Sequence, residues 1–235
     1  MLKLLSDFRL RRSLPRLRRL VQLGLVRWDT LLHGRDPAVK HWLPVLANAR
    51  TGHIVVPTKA LAASRGQAMD LVRRRLVEPG FRVLDVGAGN GRLAVGLLEV
   101  GIGEYVGLEV NRGSVDFANE VFKPFGPVHF DFLDLANPMY NPGGSMKPDE
   151  VTYPYPDESF DFILASSVYT HLERLSVVER NLSESARVLR PGRGACTTFF
   201  RSPPNGLSSS AVRSVFREQD TSETSLRSTS LSKTS

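Results

Sequence analysis

Three short stretches hold the residues whose types and spacing could do chemistry. Gly87-Ala88-Gly89-Asn90-Gly91 follows the apolar run Val83-Leu84-Asp85-Val86, Glu109 ends a second apolar run, and Asp134 closes Phe132-Leu133-Asp134. Glycines at alternate positions permit positive φ and carry no Cβ, so a ligand can lie directly on the peptide groups. A helix starting near Asn90 would add unpaired N–H donors. A dinucleotide fingerprint has its third glycine three positions after the second, and here that position is Arg92, so a pyrophosphate is less well provided for. Glu109 lies 22 residues beyond Gly87. At a neighbouring strand end its carboxylate could accept hydrogen bonds from both hydroxyls of a ribose. Asp134 has two readings, an acceptor for an adenine amino group or an Asx turn opening a loop.

The elements that must position these residues follow from periodicity and breakers. The pattern predicts a helix over 60–77 stopped by Glu78-Pro79-Gly80, a strand over 81–86, a helix over 91–100 and a strand over 105–108. A helix over 114–122 and a strand over 128–132 come next, then a proline- and glycine-rich loop over 136–159. A strand over 160–165, a helix over 175–189 stopped by Pro191-Gly192, and a strand over 195–200 complete the series. The alternation specifies an α/β fold, a doubly wound, mostly parallel sheet with helices on both faces.

Composition bounds the rest. The chain has 235 residues and a formal charge of +7, and eight Lys or Arg against the single acid Asp7 fall between Lys3 and Arg27. Leu10, Leu14, Leu17 and Val21 recur there at helical steps, with Pro15 kinking or splitting the helix. That arm reads as a helical extension packed on the domain with a solvated basic face, or as an attachment to an anionic membrane surface or nucleic acid. Trp28 and Trp42 read as packing residues, and His33, His41 and His53 lack the spacing of a metal site. Cys196 is the sole cysteine, which excludes an intramolecular disulfide and a cysteine-rich zinc site and fits a reducing cytoplasm. No apolar run reaches the roughly 18 residues of a membrane span, and arginines interrupt any signal-peptide core. Of the last 35 residues 15 are Ser or Thr, a composition that reads as a disordered tail.

Taken in order, Val83 to Leu93, Tyr105 to Asn111, Asp131 to Leu135, Ser159 to Leu172 and Ala186 to Thr198 resemble the successive motifs of the class I S-adenosylmethionine-dependent methyltransferases. Pro156 to Asp161 and Arg187 to Gly192 are similar to the lead-ins to strands four and five in the bacterial small-molecule branch. The resemblance covers roughly residues 60 to 200. It implies a Rossmann-like methyltransferase fold with S-adenosylmethionine as cofactor and a small-molecule acceptor, and no metal. By the same resemblance Asp85, Gly87, Ala88, Gly89, Asn90 and Gly91 would surround the methionine portion, Glu109 the ribose and Asp134 the adenine, with Ser166 beside the sulfonium.

For catalysis His171 could take a proton near neutral pH, and Tyr169 could wall the cofactor or orient the acceptor. Packing is the competing reading for His171. Met139, Tyr140, Tyr153 and Tyr155 give the 136–159 loop the surface of an acceptor pocket. The division expected is a basic amphipathic extension over 1–58, a cofactor-binding domain over 59–200 and a tail over 201–235. Family sheets have two further strands, so this one is expected to be incomplete at its C-terminal side, with the tail reading as a truncated or frame-shifted product. The rival functions are a non-catalytic cofactor-binding remnant and a nicotinamide oxidoreductase. Nucleic-acid methylation is disfavoured, since the core lacks an Asn-Pro-Pro-Tyr-type tetrad.

Overall fold

The computed structural model describes residues 15–33, 36–46, 56–166, 168–169, 174–201 and 210–217. Helices α1 (Pro15–His33), α2 (Pro37–Leu46) and α3 (Pro57–Arg73) precede β1 (Arg82–Val86). Then come α4 (Arg92–Val100), β2 (Glu104–Glu109), α5 (Arg112–Phe122), β3 (Val128–Phe132) and a short 3-10 turn at Pro148–Glu150. β4 (Phe160–Ala165), α6 (Leu175–Val188), β5 (Leu189–Arg201) and β6 (Ser210–Arg217) follow. All six strands form one sheet in the order β3-β2-β1-β4-β5-β6. The first five are parallel and β6 is antiparallel. The chain reverses its winding direction between β1 and β4, which opens a crevice at their carboxyl ends.

Alternation along the strands sorts the core into two layers. Val83, Tyr105, Phe130, Phe162 and Leu164 face α2, α3, α4 and α5. Leu84, Val86, Leu108, Ile163 and Ala165 face α6 and the segment around Val151 and Tyr153. Trp42 is buried in the first layer, stacked on Phe125 at 4.7 Å, and its Nε1–H donates to Glu99 Oε1 at 3.0 Å. Trp28, expected to pack, is exposed instead. α1 is fixed to the domain by buried Asp29, whose carboxylate accepts bonds from Thr58 N–H at 3.0 Å and Thr58 Oγ1–H at 2.7 Å.

The outer edge of β3 is occupied by a side chain. Tyr105 N–H bonds Pro127 O, and Leu133 N–H bonds Glu109 O, so the alternating residue Phe130 turns its peptide groups away from β2. Asn119 on α5 meets both: its Nδ2–H donates to Phe130 O and its Oδ1 accepts from Phe130 N–H, each at 2.8 Å.

Two expectations about the C-terminal side are corrected. Pro191-Gly192 does not precede the fifth strand. It sits within β5, where the register on β4 shifts between Phe160↔Leu189 and Phe162↔Gly194, and Gly192 takes φ +72°, as a bulge requires. The sheet also does not end at β5, because Ser210–Arg217 pairs with it from Gly194↔Arg217 to Arg201↔Ser210. An unpaired edge invites a partner strand, and Ala211-Val212 with Val215-Phe216 is the apolar, β-prone cluster that the Ser/Thr-rich stretch offers.

Candidate functional site

The turn after β1 places Gly87, Gly89 and Gly91 at φ +70°, +59° and +76°, a region that disfavours residues with a Cβ. Gly87 and Ala88 N–H both donate to Leu108 O, at 2.7 and 3.3 Å, which fastens the turn to the end of β2. The three glycines then differ. A Cβ on Gly87 would strike Val168, and one on Gly91 would strike Phe130 and Phe122, whereas nothing lies within 4 Å of the position it would take on Gly89. Gly89 is the member that leaves an open cradle.

Glu109 faces that cradle in a fixed pose. Its Oε2 accepts from Gly89 N–H and its Oε1 from Asn111 N–H, both at 2.8 Å, and the residue is buried. Two of the roughly four acceptor positions of a carboxylate are thereby used and two are left. Asp85, one strand over, is buried and accepts a 2.5 Å bond from Tyr105 O–H. Burial is the main reason its pKa is pushed up to about 7; the Tyr105 bond opposes the shift and the charge of Glu109 adds to it. The Tyr105 hydroxyl is itself pushed well up by burial and by the neighbouring carboxylates. Asn90 is buried within the turn and Ala88 is partly buried beside it.

Asp134 stands half-buried at the start of the loop. Its oxygens accept from Ser145 Oγ–H at 2.7 Å and Asn141 Nδ2–H at 3.0 Å, and these bonds, Ser145 first, hold its pKa below the usual carboxylate range. Leu135 bridges Met146, so Asp134 closes a loop as well as standing at the sheet end. Nearby, the Arg112 guanidinium stacks 3.7 Å over the Phe132 ring. Ser166 is half-buried just past β4, and Val168 packs against Gly87. His171 lies outside the described residues.

Tyr169 belongs to the second core layer, and its hydroxyl shares a buried polar cluster with Tyr153 and Ser185. The loop expected to form an acceptor pocket divides likewise. Met139 and Tyr140 are exposed, while Tyr153 is buried and Tyr155 packs edge-on to Phe160 and donates its O–H to Asp131 at 2.9 Å. Tyr105, Asn111 and Val168 are site residues that sequence reasoning passed over. Asn111 alone carried a signal, as a residue that caps the next helix by accepting Ser114 N–H at 3.0 Å.

Among the described residues, no group of three or more His, Cys, Asp or Glu is placed to hold a metal ion. Residues 84–196 match the family model described as a methyltransferase domain. The chain is 33% identical over 132 residues to "Methyltransferase GfsG" of Streptomyces halstedii, covering 55% of this chain and 42% of that protein. It is 32% identical over 168 residues to the malonyl-(acyl-carrier protein) O-methyltransferase of Methylococcus capsulatus, covering 70% and 54% respectively. With the 27-O-demethylrifamycin SV methyltransferase of Amycolatopsis mediterranei it shares 33% identity over 138 residues, 57% of this chain and 44% of that one. The chain thus spans about half the length of the curated relatives it matches.

Proposed function

We propose, given that this chain belongs to the class I S-adenosylmethionine-dependent methyltransferases, that it transfers a methyl group from that cofactor to an oxygen of a small-molecule acceptor. The bound cofactor supplies an electrophilic methyl on a sulfonium, so the protein's work is alignment and the exclusion of water. In this reading Asp85 and the Gly87-Ala88-Gly89-Asn90-Gly91 turn receive the methionine portion, and Glu109 offers its two remaining acceptor positions to the ribose hydroxyls. Asp134 keeps acceptor capacity for an amino group on the base, and Ser166 lies toward the sulfonium. His171 takes a proton from an acceptor that is protonated at working pH. Tyr169 serves as a positioning residue that anchors the chain behind Val168.

The observation that carries the reading is the open face of Gly89 with the Glu109 carboxylate already bonded against it. The residues fit the cofactor because the donor, the acceptor and the space are set before it arrives. The names of two relatives, both O-methyltransferases acting on a carrier-bound acyl group or a rifamycin, favour an oxygen nucleophile in a small molecule. No helix among the described residues is long and apolar enough to cross a membrane.

Isothermal titration with S-adenosylhomocysteine tests the site. Binding is expected, weakened about a hundredfold in Glu109→Ala by the loss of charge-assisted hydrogen bonds to the ribose. Binding of NAD in its place would overturn the reading. A second reading is a cofactor-binding protein without turnover. It would be favoured if S-adenosylhomocysteine bound while no acceptor in a panel of hydroxy and carboxylic compounds consumed S-adenosylmethionine.

A further inference from the structure

The outward side of α1 is unlike the rest of the surface. Leu23, Trp28, Leu31 and Leu32 are 54%, 64%, 74% and 60% exposed, four large apolar residues within ten positions of one helix. Trp28 and Leu31 lie away from the side that holds the helix to the domain, Leu32 at its margin, and Leu23 apart from the other three. That side is set by Asp29, buried and doubly bonded to Thr58, with Leu25 and Val26 half-covered beside it. Because Asp29 fixes the rotation of the helix, Trp28, Leu31 and Leu32 cannot turn inward without breaking a buried polar contact. Scattered apolar residues on a surface are ordinary, but a contiguous group on one helix marks an interaction site.

We propose that α1 is a peripheral docking element for anionic membranes, lying in the interface with Trp28, Leu31 and Leu32 in the acyl boundary. Charge selects this occupant. Eight Lys or Arg and one acid lie between Lys3 and Arg27, and Arg27 is exposed immediately beside Trp28. An exposed apolar group beside exposed Arg27, on a segment of strongly basic sequence, matches a layer that is hydrocarbon beneath and phosphate above. Nucleic acid would satisfy the arginines but leave the leucines in water, and a second copy of the chain would bring a second strongly basic segment. No helix among the described residues can cross the bilayer, so the contact is one of lying on the surface. The inference does not depend on methyl transfer.

The test uses the full chain and two sets of vesicles, phosphatidylcholine alone and phosphatidylcholine with about one third phosphatidylglycerol. Co-sedimentation is expected with the second set and weakly or not at all with the first, and to fall as salt screens the arginines. Trp28 is exposed and Trp42 buried, so a blue shift of tryptophan emission on binding reports Trp28. Trp28→Ser with Leu31→Gln should lower the bound fraction about tenfold, and Arg27→Glu should lower it only on anionic vesicles. Both variants keep Asp29 and hence the seat of the helix, which unchanged circular dichroism would verify. Failure to bind anionic vesicles overturns the proposal. So does a dimer in sedimentation that Trp28→Ser with Leu31→Gln dissolves, or binding to duplex or single-stranded nucleic acid that outcompetes the vesicles.

Discussion

At the amino ends of the central strands, Asp161 accepts from Arg82 N–H and from Arg190, and Arg187 spans Asp157, Glu184 and the carbonyls of Tyr153 and Tyr155. At the carboxyl ends of the same sheet stand three positive-φ glycines, a buried Asp85 and a Glu109 with acceptor capacity in reserve. The first end is a knot in which guanidinium and carboxylate groups complete one another. The second keeps unfinished valences and a conformation that glycine alone tolerates easily. Both ends carry motifs of the methyltransferase resemblance, yet only the second sets open space at Gly89 beside a carboxylate with acceptor capacity left. The motifs that mark the chain most specifically, Pro156 to Asp161 and Arg187 to Gly192, belong to the knot.

The contrast can be broken or sharpened by substitution. Arg187→Ala should have the largest effect. It removes the chief partner of Glu184, whose side chain is 4% exposed and whose carboxyl the arginine holds below its usual range against the pull of burial. Arg180 retains one contact to Glu184 at 3.3 Å, so the loss is about 2 kcal/mol rather than the full cost of a stranded buried charge. Denaturant unfolding would show it, while affinity of the folded protein for S-adenosylhomocysteine stays unchanged. A matching loss of affinity would mean the two ends are not separate.

Asp85 gives an effect of slope, accumulated across a pH window where that of Arg187→Ala is read at a single pH. Its pKa is about 7 when folded against 3.8 ordinarily, so between those values the unfolded chain has released a proton that the native state keeps. Native stability therefore falls as pH rises through that window, by up to about 1.4 kcal/mol per pH unit from this group, and levels off above it. Asp85→Asn should remove that component. Unfolding of both proteins across the window measures it, and a constant difference between them would contradict the buried acid described here.

The smallest effects come from a pair of glycines. Gly89 and Gly80 both have positive φ, +59° and +82°, and both have open space where a Cβ would go. Alanine at either should cost about 1 kcal/mol of stability. Only Gly89→Ala should weaken S-adenosylhomocysteine, about tenfold as the Cβ fills the open space beside Glu109, because Gly80 lies at the amino end, bonded to Gly101. Equal affinities in the two variants would argue against the cradle.

Much of this was legible in the residues themselves. The periods gave β3 and β4 at their observed bounds, and the glycine spacing with Glu109 gave the cradle. What escaped depended on register and neighbours. Tyr105 reaches Asp85 because β1 and β2 pair Asp85↔Gly107, which sets the tyrosine two residues away on the same face. The burial of Tyr153, Tyr155 and Tyr169 is not legible in sequence, because a tyrosine that binds and one that packs with a bonded hydroxyl look alike there. β6 was hidden by Ser/Thr composition, which argues disorder until an adjacent edge supplies hydrogen bonds.

Asn119 has a consequence for how this sheet meets other chains. By answering both peptide groups of Phe130 it acts as a single-residue strand, and it stops the sheet from growing on the β3 side at its centre. Lateral recruitment of an extended segment is left to the opposite margin, where the chain supplies its own last strand. The sheet is thus closed to lateral partners at the centre of its β3 flank by an amide, while on the other flank β6 covers β5 and becomes the margin.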